Sequence, residues 1–152
     1  LSAALLDRFP SASGVLVDHS GPMLEAARKR FEAGGERLRF VAGDLSRKDW
    51  CAELEEGRFD AIISGYCIHH LPDRRKQRLY REVFDLLAPG GMFVNIEHVA
   101  SPSELLAAIF DEAFVDSLYA YHQRAGTGKS RETVASDYVY RPDKAANISL
   151  MS

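Results

Sequence analysis

Two acids stand where a ligand could meet them. Asp18 closes the short apolar run Gly14-Val-Leu-Val17, and Asp44 follows the run Leu38-Arg-Phe-Val41 through Ala42 and Gly43. A carboxylate offers two acceptor oxygens, enough for both hydroxyls of a cis-diol, but at a strand end it also forms turns and caps helices. A third constellation is Ser64-Gly-Tyr-Cys-Ile-His-His70. An imidazole near its reference pKa of about 6.5 can take a proton from an alcohol or amine. The plainer role for one of the pair is packing. Cys67, His69 and His70 form a nominal Cys-x-His-His set, yet a strand-to-helix turn seldom aims three such side chains at one point, so no metal site is expected. Tyr119, Tyr121, His122, Arg131 and Tyr138 could line a pocket, although aromatic residues at helical spacing more often build a core.

The elements that must carry these residues follow from periodicity and punctuation. Leu1 to Phe9 reads as the back half of a helix packing through Leu1, Leu5, Leu6 and Phe9. Gly14 to Val17 reads as a buried parallel strand after the turn residues Pro10, Ser11 and Ser13. Ser20 caps a helix with Pro22 in its first turn and Met23, Leu24, Ala27 and Phe31 on one face, ended by Gly34-Gly35. Leu38 to Val41 forms a second strand, an amphipathic helix with Trp50 and Leu54 spans roughly 46–56, and Gly57 leads into the strand Ala61-Ile-Ile-Ser64. A charged helix starts at Asp73 with Leu79, Val83, Phe84 and Leu87 inward, stops at Pro89-Gly-Gly91, and is followed by the strand Met92 to His98. Alternation of strand and helix with short turns calls for an α/β fold with a parallel sheet covered on both faces. Beyond Pro102, Leu105, Leu106, Ile109, Phe110, Phe114 and Leu118 recur at helical spacing, and a further helix spans about 130–138.

Composition narrows the possibilities. At 152 residues, 46% hydrophobic and 27% charged, the chain has the make-up of a soluble globular domain. The formal charge of −3, with Lys and Arg scattered among acids, gives no basic stripe, so DNA is not an expected partner. No apolar run approaches the roughly 20 residues of a membrane-spanning helix, and the start has no signal-peptide pattern. The cysteines, Cys51 and Cys67, lack framework spacing and are expected to stay thiols in a cytoplasmic protein.

The run Phe59-Asp-Ala-Ile-Ile-Ser-Gly-Tyr-Cys-Ile-His-His-Leu-Pro-Asp73, with Leu87-Ala-Pro-Gly-Gly-Met-Phe-Val-Asn-Ile-Glu97, resembles the second half of the core of class I S-adenosylmethionine-dependent methyltransferases. Val17-Asp-His-Ser-Gly-Pro-Met-Leu resembles that family's second-strand motif, and Gly43-Asp44-Leu45 its third. Together the motifs cover about Val15 to Val99. The resemblance implies S-adenosyl-L-methionine as cofactor. Asp18 would receive the ribose hydroxyls beside His19, Met23 would lie on adenine, Asp44 would hold the adenine amino group, and the Leu45 amide would meet a ring nitrogen. Ser64 and Gly65 would pass the methionine portion, and Tyr66, His69, His70, Tyr119 and His122 would face the substrate, a small molecule or a tRNA base. His-His-Leu-Pro is common in the superfamily across unrelated substrates, so no catalytic residue is assigned.

The stretch Tyr119-x-Tyr121-His122-Gln-Arg124 to Ser130-Arg-Glu132 is loosely similar to the family that makes carboxy-S-adenosylmethionine for tRNA modification. The resemblance further implies a Rossmann-like core over 1–100 and a helical insertion or lid over 101–152. The family's glycine-rich first loop and central first strand have no counterpart here, nor do its last strands, so a partial domain that binds cofactor poorly is expected. Its oligomeric state is not legible. The alternatives are a non-catalytic descendant or partner subunit that binds no cofactor, and a nicotinamide-dependent dehydrogenase, whose glycine fingerprint is also missing.

Overall fold

The computed structural model describes residues 1–32, 37–54, 58–97 and 99–140. The Gly34-Gly35 helix stop, Gly57 and the strand end at His98 lie outside them. The elements in order are α1 (Ser2–Arg8), β1 (Gly14–Asp18), α2 (Gly21–Arg30), β2 (Leu38–Ala42), β3 (Phe59–Gly65), a 3-10 turn (Ile68–His70), α3 (Asp73–Leu86), β4 (Leu87–Ile96), α4 (Glu104–Arg124) and α5 (Arg131–Val139). The fold is α/β with parallel strands. The chain divides into two units, Leu1–Ile96 and Glu97–Ser152.

In the first unit β1 pairs with β2 and β3 with β4, each parallel, as two separate two-stranded sheets. The expected single sheet covered on both faces is therefore not found among the described residues. β1 is half-buried along its whole length rather than buried. In the second pair, Ile62 and Phe93 face a core of Trp50, Ile68, Leu71, Leu79 and Val83, to which β1 adds Val17. The other face of that pair leaves Ile63, Met92, Val94 and Ile96 exposed.

Capping follows the sequence closely. The hydroxyls of Ser20, Ser103 and Ser130 accept from the backbone N–H of Met23, Leu106 and Thr133, so each helix start has an orphan donor satisfied. On α3 the inward stripe is Lys76, Leu79 and Val83, all buried. Phe84 is 74% exposed, because one residue past Val83 turns the side chain about 100° off the stripe. Leu87 belongs to β4. Leu1 and Phe9 are also exposed, and α1 buries no residue.

The helix expected over 46–56 is not found among the described residues of that span, where turns and bends run from Leu45 to Leu54. Its carbonyls are drawn off to other partners. Arg75 takes those of Leu45 and Arg47, Arg39 takes that of Glu53, and short i to i+3 bonds replace the helical ladder at Arg47, Ala52 and Leu54.

Pro89-Gly-Gly91 does not precede the last strand but lies inside it. Phe59 pairs with Leu87 and Ala61 with Met92, so the residues between Leu87 and Met92 bulge out opposite Asp60. Gly90 takes φ +82, and a Cβ on Gly91 would sit 2.9 Å from the Phe59 carbonyl oxygen and 3.0 Å from that of Ala88. Backbone atoms cannot swing aside as side-chain tips can. Gly91→Ala should therefore lower stability by about 1–3 kcal/mol, read as a lower urea midpoint at unchanged slope. An unaltered midpoint would refute the close approach.

In the second unit α4 and α5 pack through Val115, Val134 and Tyr138 with Phe114, Leu118 and Tyr119. Arg131 bridges Glu112 and Asp116, and the Tyr138 hydroxyl donates to Asp111. The expected apolar stripe is covered only in its second half, where Phe114 and Leu118 are half-buried, since Leu105, Leu106, Ile109 and Phe110 are exposed. No helix among the described residues is long and apolar enough to cross a membrane.

Candidate functional site

The carboxyl ends of β1 and β2 bring the first group of residues together. Their parallel register sets Asp18 opposite Ala42, and the Gly43 N–H donates to the Asp18 carbonyl at 3.0 Å, so Asp18 and Asp44 leave adjoining strand ends. Asp18 Oδ1 accepts from the Ser20 N–H at 2.8 Å, which turns the chain into α2, and lies 3.6 Å from His19 Nδ1. Met23, in the first turn of α2, is 60% exposed rather than part of that helix's buried face, which is carried by Leu24. Its thioether is thus available to a ligand.

Asp44 is exposed, and its Oδ1 accepts from the Ser46 N–H at 2.8 Å. The Ser46 side chain and backbone, with weaker attraction from His19 and Arg47, hold its carboxyl below the usual carboxylate range. His19, which contributes to holding Asp44 low, also lies beside Asp18. Gly43 is buried where β2 ends, and a Cβ there would lie 2.6 Å from Val17 Cγ1 and 2.9 Å from the Trp50 carbonyl oxygen. Only a residue without a side chain lets the strand pass into Asp44 at this spot.

The second group sits at the end of β3. Ser64 pairs with Asn95 and Gly65 with Ile96, and the Tyr66 N–H donates to the Ile96 carbonyl at 2.9 Å. Tyr66 takes φ +54, a left-handed conformation that costs a non-glycine residue about 1–3 kcal/mol and gathers at functional sites. Nothing in the residue type announced it. The Ser64 hydroxyl lies 3.2 Å from Cys67 Sγ. His69 is buried beside the core residues Ile68 and Leu71, whereas His70 is exposed, with the two rings 4.0 Å apart between centroids. The pair thus splits into one packed and one open imidazole. Among the described residues no three His, Cys, Asp or Glu side chains are grouped to hold a metal ion.

Tyr119 and His122 belong to α4, in the other unit. Tyr119 packs against the Val115 cluster, and His122 Nδ1 lies 3.0 Å from the Thr127 hydroxyl. Tyr121 is exposed, while Tyr138 is buried and Arg131 is engaged by two acids.

Sequence reasoning missed one further set of residues. The Arg75 guanidinium holds both oxygens of Glu82 as well as two carbonyls of the turn segment after Asp44, and Trp50 Nε1 donates to Glu82 Oε2 at 2.8 Å. Burial pushes the Glu82 carboxyl up, but hydrogen bonds from Arg75 and Trp50 outweigh it and hold the group low. The available signal was the seven-residue spacing of Arg75 and Glu82 on one helix, nearly two full turns.

These acceptors suit a nucleoside cofactor. An exposed, ionised Asp44, an Asp18 with one oxygen beyond its helix-turn bond, and an accessible Met23 thioether offer acceptors and a soft apolar contact on neighbouring strand ends.

The sequence pattern of the methyltransferase-domain family matches residues 1–91. A demethylmenaquinone methyltransferase of Thermus thermophilus is 30% identical over 110 residues, which are 72% of this chain and 47% of that protein. A carboxy-S-adenosyl-L-methionine synthase of Campylobacter curvus is 30% identical over 83 residues, 55% of this chain and 33% of the relative. The chain thus spans between a third and about half of the curated relatives it matches. The solved structure of an O-methyltransferase family protein from Burkholderia thailandensis shares the fold at a TM-score of 0.58, with 24% identity over 74% of this chain and 34% of that one.

Proposed function

We propose, for a chain that belongs to the class I S-adenosylmethionine-dependent methyltransferase family, that the protein carrying it transfers a methyl group from S-adenosyl-L-methionine to a small molecule. The single observation that carries the cofactor half of this reading is the position of Asp18 and Asp44 at the ends of adjoining parallel strands, where the Gly43 N–H donates to the Asp18 carbonyl. Ligands of open α/β folds bind at the carboxyl ends of the strands.

Asp18 would receive the ribose hydroxyls, Met23 would lie on the adenine ring, Asp44 would accept from its amino group, and the Leu45 N–H would meet a ring nitrogen. Ser64 and Gly65 would line the methionine portion. When bound, the cofactor supplies an electrophilic methyl on a sulfonium, and the chain's own work is to hold that methyl in line with an acceptor and away from water. Tyr66, placed by its left-handed backbone, and His70, the exposed imidazole, are the acceptor-side groups of the first unit. A small-molecule acceptor is favoured because demethylmenaquinone is the acceptor in a relative's name.

S-Adenosylhomocysteine titration followed by amide shifts tests the cofactor half. Shifts should concentrate at residues 18–23, 43–46 and 64–66. Asp44→Asn keeps an acceptor oxygen and loses the charge, so it should weaken binding a few-fold, against roughly tenfold for Asp44→Ala. If both variants bind like the parent, the adenine assignment is wrong. A parent that shows no shifts would favour the non-catalytic alternative.

A further inference from the structure

We propose that Arg75 is a positioning residue for cofactor recognition, its guanidinium fixing the peptide unit between Leu45 and Ser46 and, through it, the direction of the Asp44 carboxylate. The inference rests on the adenosine reading given above. The Arg75 side chain leaves the first turn of α3 and is only 11% exposed. Its Nε donates to the Leu45 carbonyl at 2.7 Å and Nη2 to the Arg47 carbonyl at 2.9 Å. Nη1 and Nη2 also donate to the two Glu82 oxygens at 3.0 and 2.7 Å. Trp50 donates to the same carboxylate, so the segment after Asp44 is fastened to α3 at Leu45, Arg47 and Trp50.

The link to Asp44 runs through one rigid plane. The Leu45 carbonyl and the Ser46 N–H belong to a single planar peptide unit. Its oxygen accepts from Arg75, and its N–H donates to Asp44 Oδ1 at 2.8 Å. Rotating that unit would break both bonds together. Arg75 therefore never touches Asp44, yet Asp44 cannot turn freely while Arg75 holds the far side of the plane. An ion pair that only fastened α3 would need Glu82 alone, whereas two of these four Arg75 bonds go to main-chain oxygens beside Asp44. The fork geometry suits arginine, since a lysine ammonium offers one point charge and cannot span these partners.

The experiment is a double-mutant cycle on the full chain with two readouts, the titration of the Asp44 carboxyl carbon by NMR and S-adenosylhomocysteine binding by amide shifts. Arg75→Met should move the Asp44 midpoint up toward the ordinary carboxylate range and weaken binding roughly five- to tenfold, with Arg75→Lys intermediate. In an Asp44→Ala background, Arg75→Met should cost less than about twofold, because its effect passes through a carboxylate no longer present. An unmoved Asp44 titration, or the same loss in both backgrounds, would overturn the proposal. If Asp44→Ala alone leaves binding intact, the adenine reading fails and Arg75's part in binding with it, while the carboxyl titration still decides whether Arg75 directs Asp44. Should Arg75→Met not fold, Glu82→Gln loosens the guanidinium without removing it, and a smaller Asp44 shift in the same direction is expected.

Discussion

Asp18→Ala should weaken S-adenosylhomocysteine binding by about 1.5–3 kcal/mol, roughly 10- to 150-fold, the range for losing hydrogen bonds to a charged acceptor. The expectation is strongest in a protein that joins this chain to the flanking segments its longer relatives carry. Asp18 Oδ1 already accepts from the Ser20 N–H, so the substitution also loosens the turn into α2. Asp18→Asn separates the two effects. It keeps an oxygen for Ser20 and removes the charge, so the melting temperature should stay near the parent value while affinity falls. Isothermal titration of both variants, with thermal melts alongside, reads the difference. Affinity that survives Asp18→Ala would remove the ribose assignment.

Leu79→Ala should cost about 2.7–5 kcal/mol of stability, the range for deleting a fully buried leucine and leaving a cavity. Leu79 is 1% exposed and packs among Trp50, Ile68, Leu71 and Val83. Trp50 belongs to the segment that follows Asp44, and Ile68 and Leu71 flank the two histidines. A cavity there should therefore slacken both halves of the site. Because net domain stability is only about 5–15 kcal/mol, the loss is a large share of it. Phe84→Ala, five residues on and 74% exposed, is the control and should change the urea midpoint little. Equal midpoints for the two variants would show that the core is not centred on Leu79.

The strand ends that carry Asp18, Asp44 and Ser64 were legible because apolar runs closed by turn residues depend on neighbours in the chain. So were the caps at Ser20, Ser103 and Ser130, where a hydroxyl meets an N–H three residues away. Local bonds of this kind are written in local sequence. The family resemblance added an expected partner for each acid, which no periodicity could supply.

Tertiary structure decided the rest. The turns after Asp44 replaced a helix whose apolar spacing was sound, since distant arginines claimed its carbonyls. Phe84 faced solvent and Leu87 entered a strand, because a stripe read from one helix does not say which neighbour will cover it. The separation of His69 from His70 into buried and open imidazoles, the left-handed Tyr66 and the tie from Arg75 through one peptide plane to Asp44 all depend on residues far apart in the chain. Residue types and local spacing determined which groups could do chemistry. Which of them are held, turned or exposed was set by contacts whose partners lie elsewhere in the chain, and a one-dimensional pattern carries no distance between such partners.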